Sequence, residues 1–166
     1  MAGTYDVQTY LLDRANIHDT IFRMTYAFDT RTFSVLVDSV YTPTVHIDYS
    51  SIMDRPAEDI SSTSWAQNVD SLLAKHDSTQ HSIADMLIEL PQPGTAARPD
   101  TCSVVAYGNA WIYKRDAEGQ LRTMVRRNGG RYEFELKRLD ELEAKGQNPW
   151  RISLQRVLLT FQDVGP

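Results

Sequence analysis

The sequence predicts an α+β fold in which helices of the N-terminal half pack into a strongly curved, mostly antiparallel sheet. Three observations carry that expectation. Apolar residues recur at helical spacing early in the chain, long segments of strand composition fill residues 81–161, and hairpin-type connections join those strands. A bent sheet wrapped over helices leaves a conical cavity between the layers.

Residues 1–10 read as a loose arm, and Asp13 reads as the N-cap of a first helix. Ile17, Ile21, Met24 and Phe28 form its apolar stripe, and Asp29 stands at the border of that stripe, on the flank of Thr25 and Phe22. A short second helix over 32–41 carries Phe33, Leu36, Val37 and Val40 inward and stops at Pro43. In VHIDY (45–49), Val45, Ile47 and Tyr49 alternate with His46 and Asp48, the pattern of a strand with one buried face. Residues 53–62, with Pro56, read as a loop. A third helix over 63–75 turns Trp65, Val69, Leu72 and Leu73 to the core.

The remainder is strand-rich: 81–90, 101–114, 121–138 and 149–161. DAEGQ (116–120) suits a hairpin connection, 92–100 an exposed loop, and 139–148 a loop with a helical turn. Gly129 and Gly130 mark a bulge or bend inside a long strand. No repeat or linker divides the chain, so one domain over 1–166 is expected.

Composition narrows the function. Apolar residues make up 42% and charged residues 23%, a soluble globular balance. A net charge of −5 argues against nucleic acid, whose phosphates need a basic surface, and VRRNGGR (125–131) is a short isolated exception. No apolar run is long enough to span a membrane, and the first residues lack a secretory pattern, so a cytoplasmic protein is expected. The single cysteine, Cys102, excludes an intrachain disulfide and a multi-cysteine metal site. Nucleotide-binding, metalloprotease and serine-nucleophile motifs are absent. No two of His18, His46, His76 and His81 share a helix face at metal spacing, and His46 with Asp48 reads as a solvated pair. What remains is acid–base chemistry by side chains, without a cofactor or metal.

His81, at the mouth of a strand after a polar turn, is the candidate base, because histidine alone titrates near neutral pH unaided. Asp29 is placed to orient it, and Tyr49 to donate a hydrogen bond to a carbonyl or enolate oxygen. Each residue also has an ordinary reading. Asp29 caps the second helix through the amides of residues 31 or 32, His81 is a strand-end histidine, and Tyr49 is a core tyrosine.

The order of these residues adds a second argument. TYAFDTRTFSVLVDSVYTPTVHIDYSSI resembles the first third of scytalone dehydratase and the SnoaL-like group of the NTF2-like superfamily. TQHSI resembles the strand carrying that family's catalytic histidine, and GGRYEFELKR with NPWRISLQRV resembles its last two strands. The likeness spans residues 10–160 and implies a cone-shaped α+β barrel, with Asp29 and His81 as the catalytic pair and Tyr49 as a pocket tyrosine. Phe28 stands where scytalone dehydratase has a tyrosine, 101–114 lacks that family's second pocket histidine, and its serine and asparagine fall near Gly130 and Tyr132. The pair is kept and the residues that read the substrate are changed.

The resemblance implies an isomerase or dehydratase acting beside a carbonyl of a polyketide-derived aromatic intermediate. A polyketide cyclase shares the same first step, and a non-catalytic ligand-binding or adaptor module is the alternative of another class. Phe28 and Tyr132 are expected to grip a flat apolar ligand, with Asn109 and Trp111 adding contacts from one face of their strand, although Ala110 and Ile112 make an equally good inward face. A homo-oligomer, dimer or trimer, is expected through the outer sheet face.

Overall fold

A computed structural model describes residues 5–165, the Arg122 side chain excepted. The first helix, α1 (Val7–Thr30), begins earlier than its pattern suggests. Asp6 caps it, accepting from the Thr9 amide at 2.8 Å. Asp13 is therefore not a cap. It is wholly buried and accepts from Tyr5 Oη at 2.9 Å, Trp150 Nε1 at 2.8 Å and the Arg98 guanidinium at 2.7 Å. Of the expected loose arm, residues 1–4 lie outside the described residues, and Tyr5 is anchored in the core.

Ile17, Ile21, Met24 and Phe28 are buried as one stripe. The chain leaves α1 through Arg31 in the left-handed region (φ 58°) and turns into a π-helical turn, Leu36–Val40. That turn ends at Val40, one residue short of the expected end at 41, and Pro43 does not stop it but lies inside β1 (Tyr41–Asp48). The expected loop at 53–62 contains a short strand, β2 (Glu58–Ser61), which leads into α2 (Ser62–Leu73). The long strands follow: β3 (Ser78–Glu89), β4 (Thr101–Arg115), β5 (Leu121–Arg138) and, after a single helical turn α3 (Asp140–Glu143), β6 (Trp150–Val164).

The strands form one curved, unclosed sheet in the order β2-β1-β6-β5-β4-β3, antiparallel except for the β1–β6 pair. The helices fill the concave face, with Trp65, Trp150, Phe134, Leu136 and Ile152 among the most buried side chains. Among the sheet's irregularities, two lie on strands that line the site. On the edge strand β3 the register shifts between Ala84 and Leu87, with Asp85 at φ 53°. The shift lets His81 and Ile83 before the bulge, and Met86 and Ile88 after it, all turn toward the core. On β5 the pairing with β6 shifts between Gly129 and Gly130, as the double glycine foretold.

Candidate active site

Asp29 sits in the last turn of α1, the helix that β3 covers. Three donors converge on its carboxylate. His81 Nδ1 lies 2.6 Å from Oδ1, Thr79 Oγ1 donates to Oδ1 at 3.0 Å, and the His81 backbone N–H donates to Oδ2 at 2.7 Å. A carboxylate can only accept, so Nδ1 carries the proton and Nε2 is left with a free lone pair. Asp29 thus grips both the ring and the backbone of one residue. The amides proposed for a cap are used elsewhere, since the N–H groups of Arg31 and Thr32 both bond to the Ala27 carbonyl.

His81 opens into a cavity of about 150 Å³ between the helices and the sheet, comparable in volume to an apolar cavity that holds one aromatic ring. Phe28 lies edge-on against the His81 ring, with centroids 5.5 Å apart. Trp65, Val69, Leu72 and Val157 supply most of the apolar wall. Opposite them Tyr132 lies close over Gly108: a Cβ at Gly108 would stand 2.5 Å from the Tyr132 ring, so only glycine admits the ring there. Burial pushes the Tyr132 hydroxyl up to about 12, so at neutral pH it is an uncharged donor.

Tyr49 lines the same cavity, one residue beyond the end of β1. A buried chain of hydrogen bonds fixes its polarity. Trp65 Nε1, which can only donate, reaches Tyr41 Oη at 3.3 Å. Tyr41 donates to Gln155 Oε1 at 2.6 Å, and Gln155 Nε2 donates to Tyr49 Oη at 2.6 Å. Gln155 is fully buried. Because Tyr49 oxygen accepts from the amide, its own O–H is free to be given to a ligand. Burial, with the neighbouring Tyr132 and Tyr41, holds its pKa well above the usual value, so the proton stays on.

The structure brings together Asp29, His81, Tyr49, Phe28 and Tyr132. It does not bring Asn109 and Trp111. The inward residues of β4 are Gly108, Ala110 and Ile112, whereas Trp111 stands on the outer face, where the Arg127 guanidinium packs 5.6 Å from its ring and 5.1 Å from that of Phe161. Strand alternation puts Asn109 on that outer face as well, and neither residue belongs to the pocket. His46 and Asp48 also part company. His46 pairs with Asp59 at 2.8 Å and Asp48 with Arg156 at 2.9 Å, away from the cavity.

Sequence reasoning missed Gln155, Asn128, Arg126 and His76. For two of them the signal was present. Extending the inward parity of Tyr132 back along β5 reaches Gly130, Asn128 and Arg126, all of which line the cavity. No group of metal-ligating side chains is found among the described residues, and no helix among them is long and apolar enough to cross a membrane.

The SnoaL-like domain family matches residues 9–156. No curated protein matches the chain in sequence. Among solved structures, the Kfla4162 protein of Kribbella flavida superposes with a TM-score of 0.74 at 19% identity, covering 91% of this chain and 93% of its own. A protein assigned to the scytalone dehydratases, from Novosphingobium aromaticivorans DSM 12444, gives 0.71 at 13% identity, over 95% and 90%. The hexachlorocyclohexane dehydrochlorinase LinA-type3 of Novosphingobium barchaimii LL02 gives 0.68 at 14% identity, over 93% and 91%. These similarities establish the cone-shaped NTF2-like fold.

Proposed function

The chain belongs to the SnoaL-like domain family, and from that premise we propose that it is a cofactor-free acid–base enzyme. It removes a proton beside a carbonyl of a polyketide-derived aromatic intermediate and isomerises or dehydrates it. One observation carries the reading: a histidine held 2.6 Å from a carboxylate, with its other nitrogen free, in a mostly apolar cavity.

In this reaction His81 Nε2 takes the proton, Asp29 stabilises the resulting imidazolium, and the Tyr49 hydroxyl donates to the oxygen on which negative charge gathers. The apolar wall keeps water from competing for that charge. The same imidazolium returns the proton, to another carbon in an isomerisation or to a departing hydroxyl in a dehydration. Phe28 places hydrocarbon beside the pair where a hydroxyl would assist a leaving group, which favours isomerisation. Relatives of this fold whose names denote dehydratase or dehydrochlorinase chemistry support the broader class.

The test follows α-proton exchange of 2-tetralone in D2O by NMR. The wild type accelerates exchange, and His81→Ala loses about 10²–10⁴ of that rate while keeping its circular dichroism. Equal rates for the two folded proteins refute the assignment. A homo-oligomer formed through the outer sheet face, where Tyr107, Leu87 and Phe161 are exposed, belongs to the same proposal. Light scattering at micromolar concentration that returns a monomer refutes it.

A further inference from the structure

Among the described residues the cavity is lined by one arginine, two histidines and no carboxylate. In a chain of net charge −5 this is a local reversal of sign. His81 is committed to Asp29, but the other two groups are not committed to anything. His76 stands in the turn from α2 to β3 with its backbone fixed: its N–H donates to the Leu73 carbonyl at 3.0 Å and its carbonyl accepts from the Arg31 guanidinium. Its ring Nδ1 is buried and has no hydrogen-bond partner. Arg126 lies on the inward face of β5, is exposed, and forms no ion pair among the described residues. Lys114, Arg31 and Lys75 add positive charge around the same spot. Burial and then these cations, Arg126 foremost, hold the His76 ring below its usual pKa, so it is neutral.

We propose that Arg126 and His76 form an anion subsite at the mouth of the cavity, which receives a carboxylate carried by the substrate. The guanidinium fork matches the two oxygens of a carboxylate, and the imidazole contributes a further polar contact from the side. One guanidinium beside a neutral imidazole balances a single negative charge, which suits a carboxylate and falls short of a phosphate. The surrounding lysines and Arg31 draw such an anion toward the opening of an otherwise acidic protein.

Register places this subsite relative to the chemistry. His81, Ala110 and Asn128 share one inward row across β3, β4 and β5, and Thr79, Ile112 and Arg126 share the next. Two strand spacings and one row put the Cα atoms of His81 and Arg126 roughly 12 Å apart. The carboxylate is then held about one or two fused rings from the carbon that loses its proton. That relation rests on the acid–base reading above; the subsite itself does not.

Calorimetric titration with 2-naphthoate, 2-naphthamide and 2-naphthyl phosphate tests the proposal. The wild type binds the acid at least about tenfold more tightly than the amide. Arg126→Gln weakens the acid about 10- to 100-fold and leaves the amide unchanged. Arg126→Lys, which keeps the charge and removes the fork, falls between them. His76→Gln lowers affinity for the acid alone. Equal affinity for acid and amide, no measurable binding of the acid, an equal loss for both in Arg126→Gln, or tighter binding of the phosphate overturns it. His81→Ala keeps the preference for the acid, so a failed proton-exchange assay with this preference intact removes the catalytic reading and leaves the subsite standing.

Discussion

Replacing Asp29 with asparagine changes one oxygen into an NH2 group, and the structure says which one. The His81 backbone N–H, 2.7 Å from Oδ2, is an obligate donor, so the asparagine oxygen must take that place. The NH2 group then faces His81 Nδ1 at 2.6 Å and Thr79 Oγ1 at 3.0 Å. The threonine hydroxyl rotates and accepts. The imidazole can accept only by moving its proton to Nε2, the nitrogen that faces the cavity, and the lone pair we propose as the base is lost without a change of shape. The expected cost in rate is about 10²–10⁴. The cost in stability is smaller. Three bonds to a charged acceptor become bonds to a neutral group, at about 1 kcal/mol each before the partial exposure of both side chains is discounted, for a total of about 1–3 kcal/mol. Asp29→Ala leaves the same donors without a partner and costs more. Two-dimensional nitrogen NMR of the imidazole reads the tautomer directly and needs no substrate. Wild type should show Nδ1 protonated and Asp29→Asn should show Nε2 protonated. An unchanged tautomer in Asp29→Asn refutes the reasoning, whatever the rate does.

Two further outcomes follow from buried polar groups. Gln155→Leu strips Tyr41 and Tyr49 of their shared partner, so thermal or urea unfolding should show a loss of about 2–4 kcal/mol, and proton exchange should slow as Tyr49 loses its fixed polarity; unaltered stability and exchange would contradict the one-way chain. Asp13→Ala leaves the Arg98 guanidinium without its buried partner and should cost about 3–5 kcal/mol in urea unfolding, with no change in the His81 tautomer, since this cluster lies outside the cavity; a loss under 1 kcal/mol would contradict it.

Where one periodicity dominated, the fold was legible. The stripe from Ile17 to Phe28 and the alternation of VHIDY named the buried faces correctly, and the double glycine marked a real bulge. Where both parities of a strand are apolar or aromatic, as in VVAYGNAWIY, alternation carries no information about facing, and Asn109 and Trp111 were placed on the wrong side for that reason. The Asp85 bulge was hidden likewise, because HSIADMLIEL offers small or apolar residues in both registers. Asp13 and Gln155 failed for a different cause. A polar residue in an apolar pattern reads as a cap or an outward position, whereas here each is buried with its partners supplied from distant parts of the chain. Asp29, His81 and Tyr49 came from their chemistry and order. His76 sits in a polar turn, where no pattern separates a cavity-lining imidazole from a solvated one.

Gly108 has a consequence that reaches beyond this chain. His81 and Asp29 are anchored where α1 meets β3, while the back wall is Tyr132 resting on bare backbone of β4. A single methyl at position 108 would displace the Tyr132 ring and reshape the chamber, yet it touches none of the atoms that hold Asp29 to His81. Inheritance can therefore act on fit and on reactivity separately. A lineage built on this scaffold can change the shape of the chamber by small steps along that wall, with the Asp29–His81 pair retained at each step.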